Sequence, residues 1–474
     1  MEVKREVEYL ESESTSIAWL PHELPEIKLQ IPPTVYPPRE DTNLLDRVIA
    51  EMPFRPGDKI LEVGCGSGAI SISSQKRGWE VFCCDTNPYA IAATIGNASL
   101  NGLKWSNKNV IEGGPGEDHS TWVPQETFDV ILWNLPYLDT PPKNSERLGP
   151  LEESGLIGDN ECRQLISLLN IYPKLLNTGG VVLLLHSSNK LGRDIPQLWR
   201  SSGWATRPIA WDYIGEEKLT VISCWRPFEG ADKIHLEKCD STNNKAMELL
   251  SPSEGTLVTT NQQTKGRGFS GNVWQNPEEG FMGSWIINGK SIERGPEWLQ
   301  IAASVAIIDS ISASLMLGIP SHCWTNSAYL EDLGVRIKWP NDIWYNGTKG
   351  FGKMAGVLIE GRTQGEDVRV VLGIGFNKTP PPGREFTIGW DSLIDIETEI
   401  MEVIMNASIA SVTEEHPKLP PINLKRIFSV AYSAMRCGLS ETRSIFYGLS
   451  DNGCIYSDRG VIDSTTGVHR WEWN

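Results

Sequence analysis

The stretch Val335–Gly361, VRIKWPNDIWYNGTKGFGKMAGVLIEG, constrains this chain more than any other. Val335 and Ile337 alternate with Arg336 and Lys338, the period-two pattern of a strand with one buried face. Lys338-Trp339-Pro340-Asn341-Asp342 follows, then the turn dipeptide Asn346-Gly347, then Lys353 just ahead of Ala355-Gly356. Two cations, a carboxylate, an amide and an aromatic ring therefore gather around two short strands. That set suits a pocket that activates a carboxylate against a nucleotide phosphate, because fixed cations stabilise charge that develops there. A merely solvated Lys338 fits poorly beside apolar strand residues and Trp339-Pro340. About seventy residues upstream, Gly266-Arg267-Gly268 adds a guanidinium flanked by glycines, suited to phosphate or carboxylate oxygens.

The chain has 474 residues, enough for two to four domains. The apolar run Val181–Leu185 is far short of the roughly 20 residues that span a bilayer, and the N-terminus is charged. The expectation is a cytoplasmic protein without a membrane segment. A formal charge of −17 argues against broad nucleic-acid binding. The nine cysteines contain no C-x-x-C pair, so they read as reduced thiols, and no metal site is expected.

Residues 1–30 read as an acidic tail, and Pro32 to Pro38 as an extended approach. An acidic stretch from Glu40 opens a helix with Leu44, Leu45, Val48 and Ile49 on one side. Lys59–Val63 reads as a buried strand running into Gly64-Cys65-Gly66-Ser67-Gly68 and a helix. Such a loop can be a plain tight turn or a ligand loop. A second strand, Glu80–Cys84, ends in Asp85, about 20 residues on, where a carboxylate can bind ribose hydroxyls. A helix over Pro88–Leu100 follows, then strands at Val110-Ile111 and Val130–Leu132, the last leading into Asn134-Leu135-Pro136-Tyr137. A helix over Cys162–Leu176 and strands over Val181–His186, Arg207–Trp211 and Leu219–Trp225 complete seven strands.

Strand, glycine loop, acidic strand end and N-x-P-Y together resemble the S-adenosylmethionine-dependent methyltransferases of planar amide or amino nitrogens. Val35-Tyr36-Pro37-Pro38-Arg39-Glu40-Asp41-Thr42 further resembles the release-factor glutamine methyltransferase group, in its short archaeal and eukaryotic branch. The resemblance implies a class I doubly wound seven-stranded α/β domain over 31–226. It also implies a cofactor site drawing on Thr42, Glu62, Gly64, Gly66, Asp85 and Asn134. Asn134 and Tyr137 would be catalytic: the Asn134 oxygen and the carbonyl of residue 135 accept the two N–H groups of the target amide, and Tyr137 packs on its plane. Leu135 stands where the family motif has its first proline. Implied partners are a release factor and a small zinc-binding activator protein. RNA adenine methylation and an inactive scaffold are the alternatives.

Arg226–Asp232 reads as a linker. Ser241-Thr242-Asn243 precedes a helix, so Ser241 or Thr242 can serve as N-cap or contact a ligand. Leu257–Thr260 reads as a strand leading to Gln262 and the glycine-rich loop Gly266–Gly271, followed by Trp274. Phe281–Ile287 and Val370–Phe376 read as strands, and Trp298–Leu317 and Ile394–Ser411 as helices. KWPND, G-R-G, GKMAG and Gly373-Ile374-Gly375-Phe376-Asn377 together resemble the biotin protein ligase family. The resemblance implies an α+β catalytic domain over 233–415 and a small SH3-like β-barrel over 425–474. It implies biotin contacts from Ser241, Thr242, Asn243, Gln262, Gly266, Arg267, Gly268, Lys353 and Gly356. ATP contacts would come from Trp274, Lys338, Asn341 and Asn377, and catalysis from Lys353, Arg267 and Asp342. ATP, biotin and Mg2+ would be used, with a biotin carboxyl carrier protein as acceptor. Many relatives carry a second arginine where this chain has Phe269. A lipoyl or octanoyl ligase and a non-catalytic biotin sensor are the alternatives.

Overall fold

The computed structural model describes residues 13–116, 124–136, 161–188, 190–268, 271–289, 295–318, 333–364, 367–439, 446–458 and 460–463. Two compact units result, one of Met1–Pro196, Thr206–Trp225 and His416–Pro420, the other of Gln197–Ala205, Arg226–Glu415 and Pro421–Asn474. The division therefore differs from the single cut at 226–232 that the sequence suggests. Two short segments are exchanged across it.

In the first unit β1 (Thr15–Trp19) pairs antiparallel with β2 (Ile27–Ile31). This corrects the tail reading for the described part of 1–30, from Glu13 on: Ile27, Leu29 and Ile31 alternate with exposed residues and are buried. The main sheet comprises β3 (Lys59–Val63), β4 (Glu80–Asp85), β5 (Val110–Glu112), β6 (Phe128–Asn134), β7 (Leu176–Ser187), β8 (Ala205–Ile214) and β9 (Glu217–Trp225), in the order β5-β4-β3-β6-β7-β9-β8. Pairs β3/β4, β4/β5, β3/β6 and β6/β7 are parallel, and β7/β9 is antiparallel. Val130, Ile131 and Leu132 are fully buried, as expected of strands covered on both faces. The strand order reverses between β3 and β6, which opens a crevice at their carboxyl ends. Helices α1 (Glu40–Glu51), α2 (Ala69–Arg77), α3 (Pro88–Leu100), α4 (Glu161–Ile171) and α5 (Lys190–Ser201) belong to the same half of the chain. The helix expected to reach Leu176 stops at Ile171, because Pro173 opens a 3-10 turn instead.

The second unit holds a second seven-stranded sheet, of β10 (Lys233–Cys239), β11 (Leu257–Gln263), β12 (Gly280–Ile287), β13 (Val335–Lys338), β14 (Asp342–Gly347), β15 (Gly350–Gln364) and β16 (Asp367–Asn377). Its order is β10-β11-β12-β16-β15-β14-β13, antiparallel except for β10/β11. On one face Ala246 of α6 (Thr242–Glu248) packs with Val258, Ile286 and Val371. Trp285 points the other way, because successive strand residues alternate. Its indole N–H donates to Asn406 of α8 (Thr398–Thr413) at 2.9 Å. The helix α7 (Pro296–Gly318) is long and apolar enough to cross a membrane, but the window Pro296–Leu315 is 94% buried, so it is a core helix. The helix expected from Ile394 begins only at Thr398.

The boundary expected at 425 is also corrected. Residues Leu424–Leu439 form helix α9, which packs on β13 and α7 through buried Ile427, Ala431, Ala434 and Met435. Three antiparallel strands follow, β17 (Phe446–Leu449), β18 (Ile455–Ser457) and β19 (Gly460–Ile462). The described residues form no closed barrel. The indole N–H of Trp339 donates to the Gly453 carbonyl at 2.9 Å, which ties the KWPND segment to this small sheet.

Candidate functional sites

In the first unit, a cleft of about 740 Å3 opens at the β3/β6 crevice. Gly64, Gly66 and Gly68 have φ of +70°, +53° and +75°. This left-handed region favours glycine, which explains the composition of the loop. Its carbonyls are held from behind by α3. Thr94 Oγ1 donates to the Gly66 carbonyl at 3.0 Å, and Asn97 Nδ2 to the Ser67 carbonyl at 2.9 Å. Asp85 Oδ2 accepts the Gly66 N–H at 2.9 Å, and its Oδ1 accepts the Asn87 N–H at 2.8 Å. Burial raises the Asp85 carboxyl above its ordinary range despite these N–H groups.

Gly64, Gly66, Asp85 and Asn134 line this cleft together. Glu62 and Thr42 do not. Glu62 is buried behind the loop, where it accepts from Ser71 Oγ; burial pushes its pKa up to about 8. Thr42 Oγ1 accepts the Arg39 N–H at 3.2 Å at the start of α1. Tyr137 lies outside the described residues. The cleft also has Tyr36, Thr86, Asn87 and Trp133 on its wall. Asn87 could have been found as the N-cap of α3, directly after the acidic strand end: its Oδ1 accepts the Tyr89 N–H at 2.9 Å.

In the second unit, a cleft of about 430 Å3 gathers residues from the start of α6, the glycine-rich loop, the turn before β14 and strands β11, β15 and β16. Ser241, Thr242, Asn243, Arg267, Gly268, Trp274, Asn341, Lys353 and Gly356 all line it. Ser241 precedes α6 but makes no side-chain cap bond, so the capping alternative is not realised there. Ser284 Oγ lies 2.7 Å from Thr242 Oγ1 and 2.6 Å from Asn243 Oδ1. A Cβ at Gly373 would lie 2.1 Å from Asn243 Oδ1, and one at Gly375 would lie 2.3 Å from the Trp274 ring. The two glycines of G-x-G are therefore seats for an amide and an indole.

Lys353 Nζ is 2.6 Å from Asp342 Oδ1. A Cβ at Gly356 would stand 3.0 Å from that Nζ, so glycine leaves room for the pair. Asn341, in the turn before β14, is bonded twice to Val357 of β15: its Nδ2 donates to the Val357 carbonyl at 2.9 Å, and its carbonyl accepts the Val357 N–H at 2.8 Å. Arg267 Nη2 donates to Glu360 Oε2 at 2.8 Å, and Asn243 Nδ2 donates to the same oxygen at 2.6 Å. Glu360 escaped the sequence reading, although it is a lone carboxylate in the apolar run Val357–Glu360.

Several expected ligands are displaced. Gln263 lines the cleft and accepts the Thr242 N–H at 2.9 Å, whereas Gln262 is exposed. Adjacent strand residues cannot both face one side. Lys338 lies outside the lining, with Nζ 5.6 Å from the Trp344 ring centroid. Asn377 is 2% exposed, and its Nδ2 faces the carbonyls of Lys353 and Ile388 at 3.5 and 3.4 Å, as a brace under the lysine. Gly266 packs on Trp274, whose N–H donates to its carbonyl at 3.0 Å. Phe269 lies outside the described residues. Among the described residues, no group of three His, Cys, Asp or Glu side chains could hold a metal ion. Cys65, Cys83, Cys84, Cys239 and Cys454 are free thiols.

Comparison with known proteins divides along the same lines. The Biotin/lipoate A/B protein ligase family matches residues 236–377, and the Ribosomal protein L11 methyltransferase (PrmA) family matches residues 43–136. A protein N5-glutamine methyltransferase assigned in Methanocaldococcus jannaschii is 32% identical over 209 residues, 43% of this chain and 98% of that protein. The biotin–[acetyl-CoA-carboxylase] ligase of Paracoccus denitrificans is 31% identical over 149 residues, 31% of this chain. The chain spans about half that relative's length, 55%. The solved biotin protein ligase of Aquifex aeolicus, in complex with biotin and ATP, is 23% identical, covering 48% of this chain and 94% of that one with a TM-score of 0.35.

Proposed function

Because the chain belongs, through its N-terminal half, to the protein N5-glutamine methyltransferases, and carries a biotin/lipoate ligase-family domain in its C-terminal half, we propose a bifunctional enzyme. The C-terminal half joins biotin to a lysine of a carrier protein, using ATP. The N-terminal half transfers a methyl group from S-adenosylmethionine to a glutamine amide, in a release factor.

The observation that carries the ligase reading is Lys353, which lines the same cleft as Arg267 and is paired with Asp342, itself off the lining. In the first step the biotin carboxylate attacks the α-phosphate of ATP and pyrophosphate leaves. Lys353 and Arg267 are placed to neutralise the oxygens on which charge builds. In the second step the carrier amine attacks the acyl carbon and AMP leaves. Asp342 orients that amine and receives its proton once Lys353 turns to the phosphate. Mg2+, entering with the nucleotide, would neutralise phosphate charge. Glycines on both sides of Arg267 allow its loop to close and keep water from the adenylate.

The test is incubation of the full chain with biotin, ATP and Mg2+, with and without a biotin carrier domain, read by mass spectrometry. Biotinylated carrier supports the reading; adenylate without transfer points to a biotin sensor. Preferential use of lipoate in competition would replace biotin as substrate. In parallel, labelled S-adenosylmethionine is offered with release factor, ribosomal protein and RNA. Label in a release-factor glutamine supports the N-terminal reading, and label in RNA overturns it.

A further inference from the structure

Asn134 closes β6 at the switch point of the first sheet, with its side chain on the cleft. Its Nδ2 donates to Asp41 Oδ2 at 2.9 Å. Asp41 lies in the first turn of α1 and is 2% exposed; its other oxygen accepts the Thr42 N–H at 2.7 Å. A carboxylate only accepts hydrogen bonds, so Asp41 decides which way round the Asn134 amide sits. The NH2 group must face Asp41, which leaves Oδ1 on the other side. That oxygen is buried and has no partner in the protein. A buried acceptor left this way carries a desolvation cost that a ligand N–H would relieve.

The neighbouring residue shows a second device. The Leu135 N–H donates to the Leu185 carbonyl at 3.0 Å, one step beyond the Asn134–Leu185 pair of the β6/β7 ladder. A proline at this position has no N–H and could not make that bond. Pro136 holds Leu135 in extended backbone from the other side. The Leu135 carbonyl is thereby fixed by a ladder bond and a following proline.

We propose that Asp41 is a positioning residue: it locks the Asn134 amide so that Asn134 Oδ1 and the Leu135 carbonyl form a matched pair of acceptors for the two N–H groups of a planar primary amide. The Leu135 N–H bond supplies the rigidity that a proline would otherwise give. This rests on the methyl-transfer reading above and deepens it, because two acceptors select a primary amide over a carboxylate. The transfer itself balances simply. The amide nitrogen forms a bond to the methyl carbon as the carbon–sulfur bond breaks. Sulfur keeps the electron pair, and one N–H proton leaves to solvent.

The test compares full-length wild type with Asp41→Ala and Asp41→Asn, folding being checked by thermal melts. One readout needs no methyl acceptor: the Asn134 side-chain 15N–1H resonances, assigned by their loss in Asn134→Ser. One downfield, slowly exchanging proton is expected in wild type and should be lost in Asp41→Ala. The second readout uses a glutamine-containing release-factor peptide. Asp41→Ala should lower kcat by roughly 30- to 100-fold, with KM and the S-adenosylmethionine Kd changed by less than about threefold. Asp41→Asn should fall between. Unmoved Asn134 resonances, or a kcat near wild type, would overturn the proposal. If wild type methylates no glutamine, the substrate reading falls, while the resonance test still decides what Asp41 does.

Discussion

In the ligase cleft the cations already hold carboxylates of the protein, Lys353 on Asp342 and Arg267 on Glu360. In the methyltransferase cleft Asn134 Oδ1 holds nothing, and its orientation is set by a carboxylate behind it. The difference matches the two reactions proposed above. Acyl-adenylate formation moves negative charge, so its cations can rest on exchangeable anions until phosphate and carboxylate arrive. A glutamine amide is neutral and weakly nucleophilic, and little helps it except a frame that is ready beforehand. The glycine loops differ in parallel. Gly64–Gly68 is pinned by Thr94 and Asn97 and by Asp85. The Arg267 loop is crossed by two backbone bonds, from Gly268 N–H to the Asn272 carbonyl at 2.7 Å and from Trp274 N–H to the Gly266 carbonyl at 3.0 Å.

The largest effect is expected at Lys353. Lys353→Met should lower adenylate formation by about 10³-fold, roughly 4 kcal/mol of transition-state stabilisation, while methyl transfer is unchanged; pyrophosphate release measures the first. A loss below tenfold would mean that the pair with Asp342 is structural only. Next is Gly373→Ala. The added methyl meets Asn243 Oδ1 at 2.1 Å, so biotin affinity should fall about 100-fold by calorimetry, with S-adenosylmethionine binding intact.

Glu62 sharpens the comparison from the other side, since it is a buried carboxyl without a cation. Its folded pKa of about 8 lies above the ordinary 4.5, so its neutral form is the one that folding favours. The stability it contributes is complete below about pH 4.5 and is lost as pH rises through about 8. The range amounts to about 5 kcal/mol at most. Glu62→Gln should flatten that pH dependence in denaturant melts of the first unit; an unchanged slope would show that Glu62 is ionised in the fold. The smallest expected effect separates two neighbours. Gln263→Ala should weaken biotin binding about tenfold, and Gln262→Ala less than twofold. Equal losses would return Gln262 to the site.

Much of both clefts was legible because their residues cluster along the chain. KWPND and GKMAG lie on adjacent hairpin strands, and the Gly64 loop and Asp85 end neighbouring parallel strands. Periodicity likewise located the buried strands and the core helix at Trp298. The errors have a common physical cause. Gln262 and Gln263 differ only in which face of a strand they take. Glu360 belongs to the site because Arg267, 93 residues away, reaches it. Residues 424–439, whose pattern fits a β domain as well, are a helix because their apolar face packs on β13 and α7.

By itself, then, the sequence determined the two families and most of the strands and helices of each half, since these depend on local pattern and on motifs short in the chain. Tertiary structure alone decided which partners those residues have. Asp41 meets Asn134 across 93 positions, Asn243 fits against Gly373, and Lys353 rests on Asp342 above Gly356. Such contacts depend on the register of strands and the seating of helices, which local pattern does not encode.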